Sequence, residues 1–78
     1  MNRLSYRPIT GTSRAALTER QREIAALVAE GLTNQAIADR LDLERLTVSE
    51  HIATMLWQLG LQGRHEIAEW ALAQRRQQ

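Results

Sequence analysis

The side chains best suited to chemistry in this 78-residue chain lie between Thr33 and Leu61, in TNQAIADRLDLERLTVSEHIATMLWQLGL. Glu50 can accept a hydrogen bond from the amino group of a cytosine, and Leu46 or Ala53 can touch a thymine methyl. The hydroxyls of Thr47, Ser49 and Thr54 can bond bases or phosphates, and His51 can donate to a phosphate. Arg45, Trp57 and Gln58 complete the set on this stretch. Thr33, Asn34 and Gln35 stand where a helix N-terminus would offer backbone amides to an anion. A plainer reading accompanies each: a solvated or protein-binding helix face, ordinary helix capping, a packed or surface histidine. Catalysis is poorly served. No nucleophile–base pair or glycine-rich phosphate loop is present, and His51 and His65 lack the company a metal site needs. No cofactor is expected.

Two helices must position these residues. In the longer one, Val48, Ile52, Met55 and Leu59 recur at i, i+4, i+7 and i+11, which puts all four on one face. Leu46, Glu50, Ala53 and Trp57 recur at the same spacing on the opposite face, which carries no positive charge. A short helix precedes, with a break near Leu41–Glu44. Short helix, tight turn and second amphipathic helix form a helix-turn-helix unit, whose second helix can enter a DNA major groove. Trp57 would leave a large ring exposed unless the tail, the last helix or a partner covers it.

Length and composition bound the rest. The chain is long enough for one small core. It has no cysteine, so no disulfide or thiolate metal site supports it. Stability should be on the order of 5 kcal/mol. No apolar run approaches a membrane span, the start is not a signal peptide, and a soluble cytoplasmic protein is expected. The net charge of +1 is unevenly spread. Residues 1–20 carry +3 and residues 33–61 carry −2, so the net positive charge lies outside the candidate reading unit, although a nucleic-acid binder usually shows a basic patch.

Taken in order, residues 1–16 read as a disordered or extended tail or linker, punctuated by Pro8, Gly11, Thr12 and Ser13. A basic arm that touches phosphates is the second reading of that stretch. Thr18-Glu19-Arg20-Gln21 fits a capping box that starts a first helix, with Ile24, Leu27 and Val28 inward and Gly31 ending it. A second helix follows Thr33 and runs to about Leu41, with Ile37, Ala38 and Leu41 inward. Leu43 plugs the core from the turn Asp42-Leu43-Glu44. The third helix spans about Arg45 to Leu59 and ends at Gly60. A fourth runs from about Gly63 to Arg75 and buries Ile67, Ala68, Ala71 and Leu72, with Trp70 half-buried at its flank. The fold expected for residues 17–76 is all-α, four short helices.

So laid out, the chain resembles the LuxR/FixJ-type helix-turn-helix domain of bacterial transcription regulators. Leu17-Thr18-Glu19-Arg20-Gln21-Arg22-Glu23-Ile24 is similar to the family's opening LTxREREV. Gly31-Leu32-Thr33-Asn34-Gln35-Ala36-Ile37-Ala38 is similar to its GxSNKEIA. Leu41, Leu43, Thr47-Val48 and His51 follow LxIS…TVKxH, and Leu59-Gly60-Leu61 with Arg64 follows KLGVxxR. The resemblance implies transcriptional control through double-stranded DNA, with the third helix in the major groove and the start of the second against phosphates. It implies a homodimer through the fourth helix, where Glu66, Trp70 and Ala73 would meet their counterparts, and often an upstream receiver or sensor domain. It also implies an ion pair between Arg64 and Glu23. The chain departs from the pattern at Gln35, Glu44, Ser49 and Gln58, where the family commonly has lysine or, at the start of the third helix, serine. Each missing cation removes a possible phosphate contact and about one unit of salt dependence. A helix-turn-helix module that binds protein instead of DNA is the alternative.

Overall fold

The computed structural model describes residues 17–76; the expected tail, residues 1–16, lies outside them. Four helices follow one another: α1 (Glu19–Ala29), α2 (Asn34–Leu41), α3 (Arg45–Leu59) and α4 (Arg64–Arg76). No strand occurs among the described residues.

The helix starts follow local chemistry. Thr18 forms the capping box: its hydroxyl accepts from the Gln21 amide at 3.0 Å, and its own amide donates to Gln21 Oε1 at 2.8 Å. Thr33 caps α2 by accepting from the Ala36 amide at 3.1 Å. Glu44, the N-cap of α3, makes no side-chain cap bond, so the first amides of α3 are left to solvent or a ligand.

Three helix ends share one device. Gly31, Asp42 and Gly60 take left-handed conformations, at φ 92°, 59° and 69°. Each is followed by a leucine whose amide turns back to a carbonyl five residues earlier: Leu32 to Leu27, Leu43 to Ala38, Leu61 to Leu56. The three leucine side chains then pack on the core. This is the Schellman-type ending with its hydrophobic contact, and it turns each helix end into a core anchor. Asp42 is the unexpected member. Its short polar side chain makes the left-handed conformation less costly than it is for most non-glycine residues.

The largest fully buried side chains come from all four helices: Ile24 of α1, Ile37 of α2, Val48 and Met55 of α3, and Ile67 of α4. α1 packs chiefly on α4, and α2 chiefly on α3. Trp70 is half-buried against the core, as expected. Leu72 departs from the expectation, being 38% exposed. At 100° per residue it stands well round the helix from the buried Ile67 and Ala71, so the inward stripe of α4 passes it by. No helix among the described residues is long and apolar enough to cross a membrane.

Candidate nucleic-acid interface

α3 presents two faces, as its spacing requires. Val48, Ile52 and Met55 are buried. Leu46, Glu50, Ala53 and Trp57 are all exposed, Leu46 by 65% and Trp57 by 83%. Among the described residues nothing covers the Trp57 ring, so neither α4 nor any other helix shields it. Thr54 and Arg45 are exposed beside them, while Thr47, Ser49, His51 and Gln58 are half-buried along the flanks. A shallow cleft of about 280 Å³ runs along one flank, lined by Gln21 of α1 and by Thr47, Glu50, His51 and Thr54 of α3.

Several residues read as ligand contacts are engaged with their own chain. Asn34 Nδ2 donates to Ser49 Oγ at 3.2 Å, joining the start of α2 to α3. The Arg64 guanidinium donates to Asn34 Oδ1 and, at 2.6 Å, to the Leu32 carbonyl. This is a correction to the expected Arg64–Glu23 pair. Glu23 instead meets Arg20 one turn earlier, at 3.4 Å and in the open. A carbonyl and an amide oxygen at the α1–α2 junction are within reach of Arg64, and two planar acceptors suit a guanidinium fork. The resulting clasp links the α1–α2 connection, α2, α3 and α4 through the side chains of Arg64 and Asn34.

Gln58 is likewise engaged, its Oε1 accepting from Gln21 Nε2 at 3.0 Å. Gln21 is the one buried polar residue among those described, at 5% exposure, and its amide is bonded on both sides. Sequence reasoning found its capping role only; no local signal points to a partner 37 residues away. Gln35 bonds Asp39 one turn along α2, at 3.0 Å. Glu66 accepts from the amides of Gln62 and Gly63 and so caps the start of its own helix.

The clasp makes a stability prediction. Asn34→Ala removes an acceptor from a half-buried guanidinium and a donor from Ser49, and should cost about 1–2 kcal/mol. Chemical denaturation would show it as a lower midpoint at unchanged slope. An unchanged midpoint would mean the clasp contributes nothing to stability.

The geometry is thus a helix-turn-helix with its second helix open on one side, and the chain's relatives share it in sequence. The sequence model of bacterial regulatory proteins of the luxR family (GerE) matches residues 15–71. The chain belongs to that family. It is 44% identical over 59 residues to the nitrate/nitrite response regulator NarL of Escherichia coli strain K12, covering 76% of this chain and 27% of NarL. It is 39% identical over 57 residues to the DNA-binding transcriptional activator DevR/DosR of Mycobacterium tuberculosis, covering 73% of this chain and 26% of that protein. It is 34% identical over 71 residues to the transcriptional regulatory protein LiaR of Bacillus subtilis, covering 91% of this chain and 34% of LiaR. The chain therefore spans about a quarter to a third of the length of these LuxR-family relatives. Within the family pattern this chain is sparing of cations on α3: Arg45 stands alone between Glu44 and Glu50.

Proposed function

We propose that this LuxR-family domain is the DNA-binding output unit of a transcription regulator, with α3 in the major groove. One observation carries the reading. The outer face of α3 is open along its whole length, while the inner face is bonded and packed to the other three helices. A rigid body that holds one helix proud is what groove reading requires. Leu46, Glu50, Ala53 and Thr54 would face base edges. Arg45, Thr47, His51, Trp57 and Gln58 would lie towards the backbone. Thr33, Asn34, Gln35 and Ser49 would set the start of α2 against a phosphate, with the Arg64 clasp holding them in place. Two such domains would meet through α4, where Trp70 and Ala73 share a half-buried face and Glu66 stands at its edge. An upstream receiver or sensor domain, a cytoplasmic setting and a non-enzymatic role belong to the same reading.

Selection of bound sequences from a random duplex pool tests it directly. Enrichment of a two-fold motif with half-sites about one helical turn apart is the expected result, and that spacing would report the dimer geometry. A pool that stays random at every salt concentration would overturn it.

A second reading is favoured by the exposed Leu46 and Trp57, which form an apolar stripe suited to protein contact. Trp57→Ala separates the two. The ring is exposed, so stability should change by less than about 0.5 kcal/mol. DNA affinity should fall several-fold on the first reading. Unchanged DNA affinity together with loss of a protein complex would favour the second.

A further inference from the structure

Gln21 does more than cap α1. It is buried, and its terminal amide is held at both ends. Chemistry fixes the direction of each bond. The Thr18 backbone amide can only donate, so the atom facing it at 2.8 Å is Gln21 Oε1. Gln21 Nε2 then points at α3. A side-chain NH2 can only donate, so the atom it meets at 3.0 Å is Gln58 Oε1. Gln58 Nε2 is thereby turned away from Gln21, and it makes no hydrogen bond among the described residues. Its N–H donors are left for an acceptor from outside the domain. Their place on the helix says which acceptor. Thr47, His51, Thr54 and Gln58 recur at i, i+4, i+7 and i+11. They form a third stripe, about 100° round α3 from Leu46, Glu50, Ala53 and Trp57 and about 100° from Val48, Ile52, Met55 and Leu59. A helix lying in a major groove turns its outer face to base edges and such a flank to the groove wall, where phosphates run.

We propose that Gln21 is a positioning residue for DNA binding: it holds the Gln58 amide with Nε2 outward, where it donates to a phosphate oxygen beside the groove. This inference rests on the DNA-binding reading above. The relay runs from the Thr18 amide to Gln21, from Gln21 to Gln58, and from Gln58 to the phosphate. It matters because Arg45, at the start of α3, is the only arginine or lysine of that helix, so the far end must hold the backbone with neutral donors. A neutral donor displaces no counterion. The contact therefore adds affinity on any duplex and leaves the salt dependence as it was.

The test is a double-mutant cycle on the full chain: parent, Gln21→Glu, Gln58→Ala and the double variant, each titrated on one selected and one random duplex at two salt concentrations. Gln21→Glu keeps an oxygen for the Thr18 amide, so the capping box survives. Its second oxygen can only accept, so Gln58 must turn Nε2 inward and Oε1 towards the phosphate. Thermal melts set a temperature at which all four proteins are folded. Gln58→Ala should lose about 2- to 10-fold on both duplexes alike, with unchanged salt dependence. Gln21→Glu should lose at least as much in the parent. In the Gln58→Ala background it should lose markedly less, through the repulsion of its carboxylate alone. Gln21→Met removes the orienting donor without adding charge and should give a smaller loss, again confined to the parent background. Equal losses from Gln21→Glu in both backgrounds, or no loss from Gln58→Ala, with the parent binding, would overturn the positioning role and leave the DNA reading standing. A parent that binds neither duplex would overturn the DNA reading and the positioning role with it.

Discussion

Glu50→Arg should convert a discriminating binder into an indiscriminate one. Glu50 is exposed at the centre of the open face of α3, between Leu46 and Ala53 one turn either side. On the proposed reading, a carboxylate there would accept from a cytosine amino group and would repel nearby phosphates. The substitution removes the acceptor, so preference for the selected site should fall by about 1–3 kcal/mol, roughly 5- to 150-fold. It also replaces a repulsive charge with an attractive one. Affinity for random DNA at low salt should rise, and the salt slope should steepen by about one unit. Titrating selected and scrambled duplexes against both proteins measures the two effects separately. If affinity for both duplexes rises by the same factor, Glu50 reads no base.

Met55→Ala should cost the most stability of any single truncation on α3. Met55 is fully buried, and it meets a core assembled from Ile24, Ile37, Val48 and Ile67. Removing it strips apolar contact and leaves a cavity that four short helices can only partly close, at about 2–5 kcal/mol. In a domain of this size each kcal/mol lowers the melting temperature by about 4–8 °C, so a fall of about 8 °C or more is expected. The total stability of such a domain is on the order of 5 kcal/mol, so the variant would sit near unfolding at room temperature. Leu46→Ala is the internal control. Leu46 is 65% exposed on the same helix, and its truncation should shift stability by less than about 0.5 kcal/mol. Thermal melts of the two variants followed by circular dichroism would compare them. Similar losses would mean that the inner and outer faces of α3 are wrongly assigned.

Those two predictions use the two faces of one helix, and both faces were legible from spacing. Apolar side chains at i, i+4, i+7 and i+11 leave little freedom in how an amphipathic helix can lie on a core. The helix ends were nearly as legible. Thr18 and Thr33 announced caps, and Gly31 and Gly60 announced left-handed endings, because those are local preferences of single residues. Asp42 was harder, since its left-handed conformation is set by the need to turn α2 sharply into α3, and glycine is absent there. Leu72 reads as inward because it is apolar, but it stands well round α4 from Ile67 and Ala71 and stays 38% exposed.

The site was less legible than the fold. Asn34, Ser49 and Gln58 carry groups suited to DNA, and their types alone do not tell a ligand contact from an internal bond. The family resemblance pairs Arg64 with Glu23, whereas the folded chain offers it the Asn34 amide oxygen and the Leu32 carbonyl.

By itself, then, the chain's order of residues determined four helices, the inward and outward faces of α3, and membership in a recognisable pattern of helix-turn-helix regulators. Periodicity, capping and turn preferences act over a few residues, so they survive without knowledge of the rest of the chain. Only the tertiary structure decided which polar side chains are paired across the helices and which acceptors hold Arg64. Those facts depend on contacts between residues 15 to 37 positions apart, which only packing in three dimensions brings within bonding distance.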